Sequence, residues 1–217
     1  MSNTEGIDHI LEAAYQLLIE KGFKATTMDT LAKRLQMSKR TLYEIFENKE
    51  DLIKQALQHH RMVHERESDE IFRTAPNLIV GLLRIFKHHR EGIKDINIEF
   101  FRDMDRLYPN HKAGYQNNRS EISRQMEEMF AMGVEQGVFL SDLNYKALTR
   151  ILLIHMEAIK RTESVFADDV TIAEIFDTMS LCFLRSVVSD KGRQLLDENL
   201  PIYFPELRLS SDPTQTD

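Results

Sequence analysis

Two short helical patterns, each opened by a hydroxyl side chain and separated by only two residues, constrain this chain more than anything else in it. Residues 26–52 read TTMDTLAKRLQMSKRTLYEIFENKEDL. Thr27 is an N-cap candidate, although the residue three places on is Thr30 rather than the Glu of a full capping box. Leu31, Ala32 and Leu35 then recur at helical spacing, with Lys33 and Arg34 on the other side. Gln36 and Met37 intervene before Ser38, a second N-cap candidate, and the spacing predicts another short helix over 39–46. In it Leu42, Ile45 and Phe46 can face inward, leaving Lys39, Arg40, Thr41, Tyr43 and Glu44 outside. Asn48 caps a third helix opened by Lys49, Glu50 and Asp51.

Two short helices joined by a tight turn form a helix-turn-helix. The outward residues suit a phosphate backbone and base edges. Ser38, Thr41 and Tyr43 carry hydroxyls that can donate to phosphate, and Lys39 and Arg40 can reach bases or backbone. With Thr27 at the first helix start and Lys49 at the third, these seven residues are the expected DNA-binding set.

The order T-T-x-x-x-L-A, then S-K-R-T-L-Y-x-x-F-x-N-K-E-D-L, resembles the TetR/AcrR family of one-component transcriptional regulators. The resemblance covers roughly the first quarter of the chain and implies a first helix over 7–21, a recognition helix over 38–46 and a helix from Lys49 leading to a ligand domain. One departure is visible. Gln36 stands in the turn where the family usually has Gly, and a side chain there tolerates positive φ poorly, so an altered turn is expected.

The net charge of −7 runs against a DNA-binding reading. Residues 1–60 hold eight Lys/Arg against nine Asp/Glu, so the acidity lies mostly behind them. The basic charge is placed rather than abundant, with Lys33, Arg34, Lys39 and Arg40 clustered where a phosphate backbone would run. An acidic body behind a basic face orients the protein and limits non-specific binding. A single cysteine, Cys182, excludes an internal disulfide and, with no apolar leader and no bilayer-length apolar run, points to the cytoplasm. It falls on an apolar stripe and reads as a structural thiol.

The rest of the chain is helical throughout, giving an all-α expectation: a helix-turn-helix domain over 1–48, a connecting helix over 49–75, a ligand-binding and dimerisation bundle over 76–200, and a tail over 201–217 with a disordered end. The first helix carries Ile7, Ile10, Leu11, Ala14, Leu17 and Leu18 and closes at Gly22. Beyond Leu57 the connector is polar. His60 and His64 stand four apart, a spacing that can bind metal, but without an evident third ligand they read as solvated. A breaker at Ala75-Pro76-Asn77 precedes an apolar helix through Phe86 that closes on His88-His89-Arg90, and Gly92 separates it from a helix over 95–108 stopped by Pro109. A long helix follows from Lys112, then Ser141-Asp142 as a cap, and two last helices over 143–161 and 170–188 with broad apolar stripes. These stripes exceed what one bundle needs and suggest a homodimer.

No Gly-rich nucleotide loop, nucleophile elbow, HExxH or core Glu-x-x-His occurs, so neither an enzyme nor a di-iron carboxylate protein is expected, and no cofactor or metal. The expected partners are a double-stranded DNA operator, a second copy of the chain and a small apolar or aromatic effector, with no membrane. Soft Met and rigid aromatics mark the candidate effector lining: Phe86, Phe100, Phe101, Met104, Tyr115, Met126, Met129, Phe130, His155 and Met156. In that set His155 would be the polar anchor and Tyr115 a second. Any one of these residues taken alone reads first as core.

Overall fold

The computed structural model describes residues 3–94, 96, 100, 103, 109–161 and 170–205, with the backbone alone for 3–5, 109–119 and 156–161. Over these the chain is all-helical: α1 (Asn3–Ala25), α2 (Met28–Leu35), α3 (Lys39–Ile45), α4 (Lys49–Thr74), α5 (Leu78–Ile93), α6 (Pro109–Glu135), α7 (Tyr145–Arg161), α8 (Ile172–Val187) and α9 (Asp190–Tyr203). Strand pairing among the described residues is limited to one antiparallel bridge, Phe139 with Val188. No described helix is long and apolar enough to cross a membrane.

Helices α1 to α3 and the first half of α4 close around one core, formed by Leu17, Leu18, Phe23, Leu31, Leu42, Phe46, Leu52 and Ile53 among others. At Gly22 the backbone turns to φ 75° and breaks the helical path of α1, which lets Phe23 swing back into that core. A second core gathers Ile79 and Leu83 of α5, Phe130 of α6, Leu184 of α8 and Leu196 of α9, with Phe204 just past the end of α9. Helix α4 belongs to both parts of the molecule, packing on α1 at one end and on α5 at the other.

Several elements differ from the sequence expectation. Pro109 opens α6 rather than only ending what precedes it; proline lacks the N–H that a first helical residue leaves unused anyway. The helix expected over 95–108 lies mostly outside the described residues. Asn144, not Ser141 or Asp142, caps α7 by accepting from the Ala147 N–H at 3.0 Å. Helix α9 is not anticipated by the sequence reading, and it runs through Pro201, placed in its last turn, because Leu200 and Phe204 are buried on either side. Its start is pinned to the α6–α7 turn. The Ser189 N–H donates to the Val138 carbonyl (3.0 Å), the Ser189 hydroxyl to that of Gly137 (2.7 Å), and Lys191 Nζ to that of Gln136 (2.8 Å). Cys182, expected on a buried stripe, is exposed.

The histidines of the connector are half-buried rather than fully solvated. His60 stacks on Tyr15 of α1 at 3.6 Å between ring centroids, and His64 lies 4.5 and 4.9 Å from the rings of His88 and His89 on α5. A histidine four residues from another on α4 shares its face, and that face is covered by α1 at His60 and by α5 at His64. Burial pushes His60 down to about 4 and His89 to about 3, and lowers His64 as well, so these rings are neutral at neutral pH.

Candidate nucleic-acid interface

The interface is assembled by caps. The Thr27 hydroxyl accepts from the Thr30 N–H (3.1 Å), and the Thr30 hydroxyl accepts from the Thr27 N–H (2.8 Å). Threonine therefore closes a capping box that the sequence reading denied for want of Glu, because a short hydroxyl reaches the N-cap amide when the backbone turns tightly enough. Ser38 repeats the device, accepting from the Thr41 N–H at 3.1 Å. Asn48 does the same for α4 through Asp51 (2.9 Å).

Between α2 and α3 the turn needs one residue in the left-handed region, and Gln36 takes it, at φ 54° and ψ 36°. The substitution for Gly therefore costs strain but keeps the turn: the Met37 N–H still reaches the Ala32 carbonyl at 2.9 Å.

Helix α3 has seven residues, of which only Leu42 is buried; Phe46, just past its end, is the second anchor. Ile45, expected to face inward, is 37% exposed, since Leu42 and Phe46 already define the inward line and Ile45 lies to its side. Outward stand Lys39, Arg40 and Tyr43, with Thr41 half-buried. Tyr43 is 52% exposed.

The basic side chains hold carboxylates. Lys39 Nζ lies 2.7 Å from Asp29 of α2, Arg40 Nε 3.0 Å from Glu44, and Arg34 meets Glu20 of α1 through both guanidinium nitrogens at 2.7 and 2.9 Å. These pairings raise Lys39 and Arg34 above their ordinary values and lower Glu20. Ion pairs this exposed are screened by solvent and contribute little to stability, so a phosphate can displace the carboxylate. The hydroxyls are compatible with the same role. Ser38 and Thr27 accept hydrogen bonds as caps, and each also lies against a second hydroxyl, Thr41 at 2.9 Å and Thr30 at 3.2 Å, a contact that a phosphate would replace. Lys49 differs: its ammonium donates to the Phe23 carbonyl at 2.6 Å, tying α4 to the end of α1, a structural task not visible in the sequence.

Of the described effector candidates, Phe86, Met126, Met129 and Phe130 meet at the second core, while Phe100 and His155 lie elsewhere. Phe100 is buried in the first core, edge-on to Tyr15 (6.2 Å) and tilted on Phe23 (5.4 Å), and so does not line a cavity of the body. Phe130 is fully buried in the second core, where it stacks on Tyr145 at 4.8 Å. Phe86, Met126 and Met129 are half-buried against that core, with Phe86 edge-on to Phe176 at 6.4 Å. His155 is exposed and its Nδ1 sits 2.9 Å from the Ile151 carbonyl. Phe101 and Met104 lie outside the described residues, as do the side chains of Tyr115 and Met156.

Residues 10–56 match the family of bacterial regulatory proteins, tetR family. Over these residues the chain carries a tetR-type N-terminal DNA-binding domain. An uncharacterized HTH-type transcriptional regulator of Bacillus subtilis (strain 168), YvkB, is 30% identical over 89 residues, 39% of this chain and 47% of that one. The chain thus spans about half the length of this curated relative. Among solved structures, a putative transcriptional regulator from Saccharomonospora viridis in complex with choline is similar with a TM-score of 0.68 at 16% identity, over 86% of this chain and 100% of that one. The ketosteroid transcriptional regulator KstR2 of Mycobacterium tuberculosis is similar with a TM-score of 0.57 at 18% identity, over 88% and 97%. These two show that the TetR-like fold extends through the body. The matched proteins are transcriptional regulators and not enzymes.

Proposed function

We propose that this chain is a TetR-family DNA-binding transcriptional regulator that acts as a homodimer and represses from an operator of two related half-sites. The observation that carries the reading is α3: a helix anchored by Leu42 and Phe46 alone, with Lys39, Arg40 and Tyr43 directed away from the protein. Lys39 and Arg40 open the helix, where base edges of a major groove are reached, while Ser38, Thr41, Tyr43 and Thr27 address the backbone and Lys49 holds α4 on the end of α1. Selection from random duplexes is expected to yield a site whose halves lie about 34–36 Å apart. The Lys39→Ala/Arg40→Ala variant should lose roughly tenfold or more in affinity for it, with Tyr43→Phe weakening binding evenly across sequences. Unchanged operator binding by the double variant overturns the assignment.

The dimer is supported by α7, where Ile151 and Ile154 are 47% and 62% exposed one turn apart. A single chain leaves this apolar face in water; a second copy would cover it. Ile154→Glu should give a monomer by light scattering, and a wild-type monomer at micromolar concentration defeats the reading. For the effector we retain an apolar or aromatic molecule bound among the helices of the body near Phe86, Met126 and Met129. His155 belongs instead to the α7 face that the dimer would cover. A compound that raises the melting temperature and releases operator DNA is the expected result, and a broad screen without one removes the effector from the scheme.

A further inference from the structure

Half of the eight histidines gather where α4 meets α5. The ring centroids of His64 and His88 are 4.5 Å apart, those of His64 and His89 are 4.9 Å apart, and those of His88 and His89 are 6.1 Å apart. His60 is 6.0 Å from His64 but is committed to its stack on Tyr15. His88 Nε2 is buried without a hydrogen-bond partner, and the Glu67 carboxylate, one turn beyond His64 on α4, lies 3.6 Å from it. A buried polar nitrogen in that condition asks for a ligand.

The charge around the rings decides the sign of that ligand. Glu12 of α1 acts on His60 and Glu67 of α4 on His64, and Asp8 of α1 lies 3.5 Å from His59. Arg90 of α5, next to His89 in sequence, is held by Asp177 of α8 at 2.9 Å. Carboxylates outnumber cations here, so a cation is favoured and an anion is not. Neutral imidazoles beside a carboxylate are the donor set of zinc, cobalt and nickel.

We propose that His64, His88 and His89, with the Glu67 carboxylate, bind one divalent transition-metal ion that ties α4 to α5. Zinc–imidazole bonds of about 2.0–2.1 Å in tetrahedral geometry put the ring centroids of two ligands roughly 5 Å apart, and the three observed separations bracket that value. As the side chains stand, no group of three or more His, Cys, Asp or Glu among the described residues is arranged to hold a metal ion. Closing the site therefore requires rotation about χ2, which the centroid separations permit because the Cβ–Cγ axis runs almost through the imidazole centre. The turn redirects the nitrogens and leaves the centroids where they are. The i, i+3 spacing of His64 and Glu67 keeps both on one face of α4. Because α4 also packs in the first core, an ion here fixes the helix that joins the two parts of the molecule.

The test uses the full chain without an affinity tag, stripped of metal and titrated with Co²⁺ under visible absorption. One ion per chain with the strong d–d bands of a tetrahedral site, displaced by Zn²⁺, is expected. His64→Ala and His88→Gln should each weaken binding by about tenfold or more, while His60→Phe and His155→Ala leave it unchanged. Circular dichroism checks each fold; if His64→Ala loses helix, the isosteric His88→Gln carries the comparison. A folded wild-type chain that gives no cobalt bands overturns the proposal. So does binding that survives His88→Gln, or binding that Cys182→Ser abolishes. Operator affinity is measured separately on metal-free protein, so the metal site and the DNA-binding reading fail independently.

Discussion

Helices α3 and α5 are held in opposite ways. Within α3 only Leu42 is buried, whereas α5 buries Leu78, Ile79, Val80, Gly81, Leu82, Leu83 and Ile85. The first is defined locally, by the Ser38 cap at its start and the anchors Leu42 and Phe46, and its remaining faces are available to another molecule. The second is defined by its neighbours α4, α8 and α9, and it has little surface left to offer. A helix that meets a partner gains from few internal obligations; a helix that organises a bundle needs many.

The comparison can be broken most sharply at Leu42. With a single buried residue inside α3, Leu42→Ala should cost about 2–5 kcal/mol and abolish operator binding together. Ile45→Ala next to it should stay within about 0.5 kcal/mol. Urea denaturation of both variants checks this, and equal losses would show that α3 is held by more than its anchors.

Acidification should separate the two regions next. His60, His64 and His89 have folded values below the ordinary histidine value, so the unfolded chain binds more protons than the folded one at mildly acid pH. Their stabilising contribution is complete above about pH 6.5 and is lost progressively toward pH 4, the value near which His60 titrates. The urea midpoint of metal-free protein should therefore fall between pH 7.5 and 5, and fall less in His60→Phe, which keeps the ring stack on Tyr15. A midpoint that stays level over this range removes the claim that the rings are buried neutral.

A smaller effect is expected where α9 docks. A Cβ at Gly192 would overlap the Val138 carbonyl oxygen, which belongs to backbone and cannot turn aside. Gly192→Ala should cost about 1–3 kcal/mol by lifting the start of α9, readable as a lower melting temperature. Gly6→Ala, with open space around it, serves as the control. Smallest is the cap: Ser38→Ala should cost about 1 kcal/mol, and Ser38→Asp, which keeps the acceptor, should recover most of it while weakening DNA binding through its charge.

Local signals made the first quarter of the chain legible. An N-cap and its helix are neighbours in sequence, so Thr27, Ser38 and Asn48 could be assigned before any packing was known, and the spacing of Leu31, Leu42 and Phe46 marked the inward line of the helix-turn-helix. The same locality explains the errors there. Thr30 completes a capping box by geometry that composition does not report, and the ion pair of Lys39 with Asp29 joins two helices whose relative placement no spacing rule contains.

Beyond α4 the apolar periodicity named helices and their buried faces but not what each face meets. Phe100 could be read as apolar, yet only the fold sends it to Tyr15 and Phe23 in the first core rather than into the body. Cys182 lies on a helix with a broad apolar stripe, and only packing decides that it falls at the stripe's exposed edge. His60 and His64 were visible as an i, i+4 pair, while His88 and His89, whose rings lie against His64, sit more than twenty residues away on a different helix. The sequence by itself determined the short helices of the first quarter, the caps Thr27, Ser38 and Asn48, and the family to which the DNA-binding domain belongs, because those depend on residues within a turn or two of one another. The imidazole cluster, the exposed face of α7 and the docking of α9 were decided by tertiary structure, because each depends on side chains that meet only after separate helices pack.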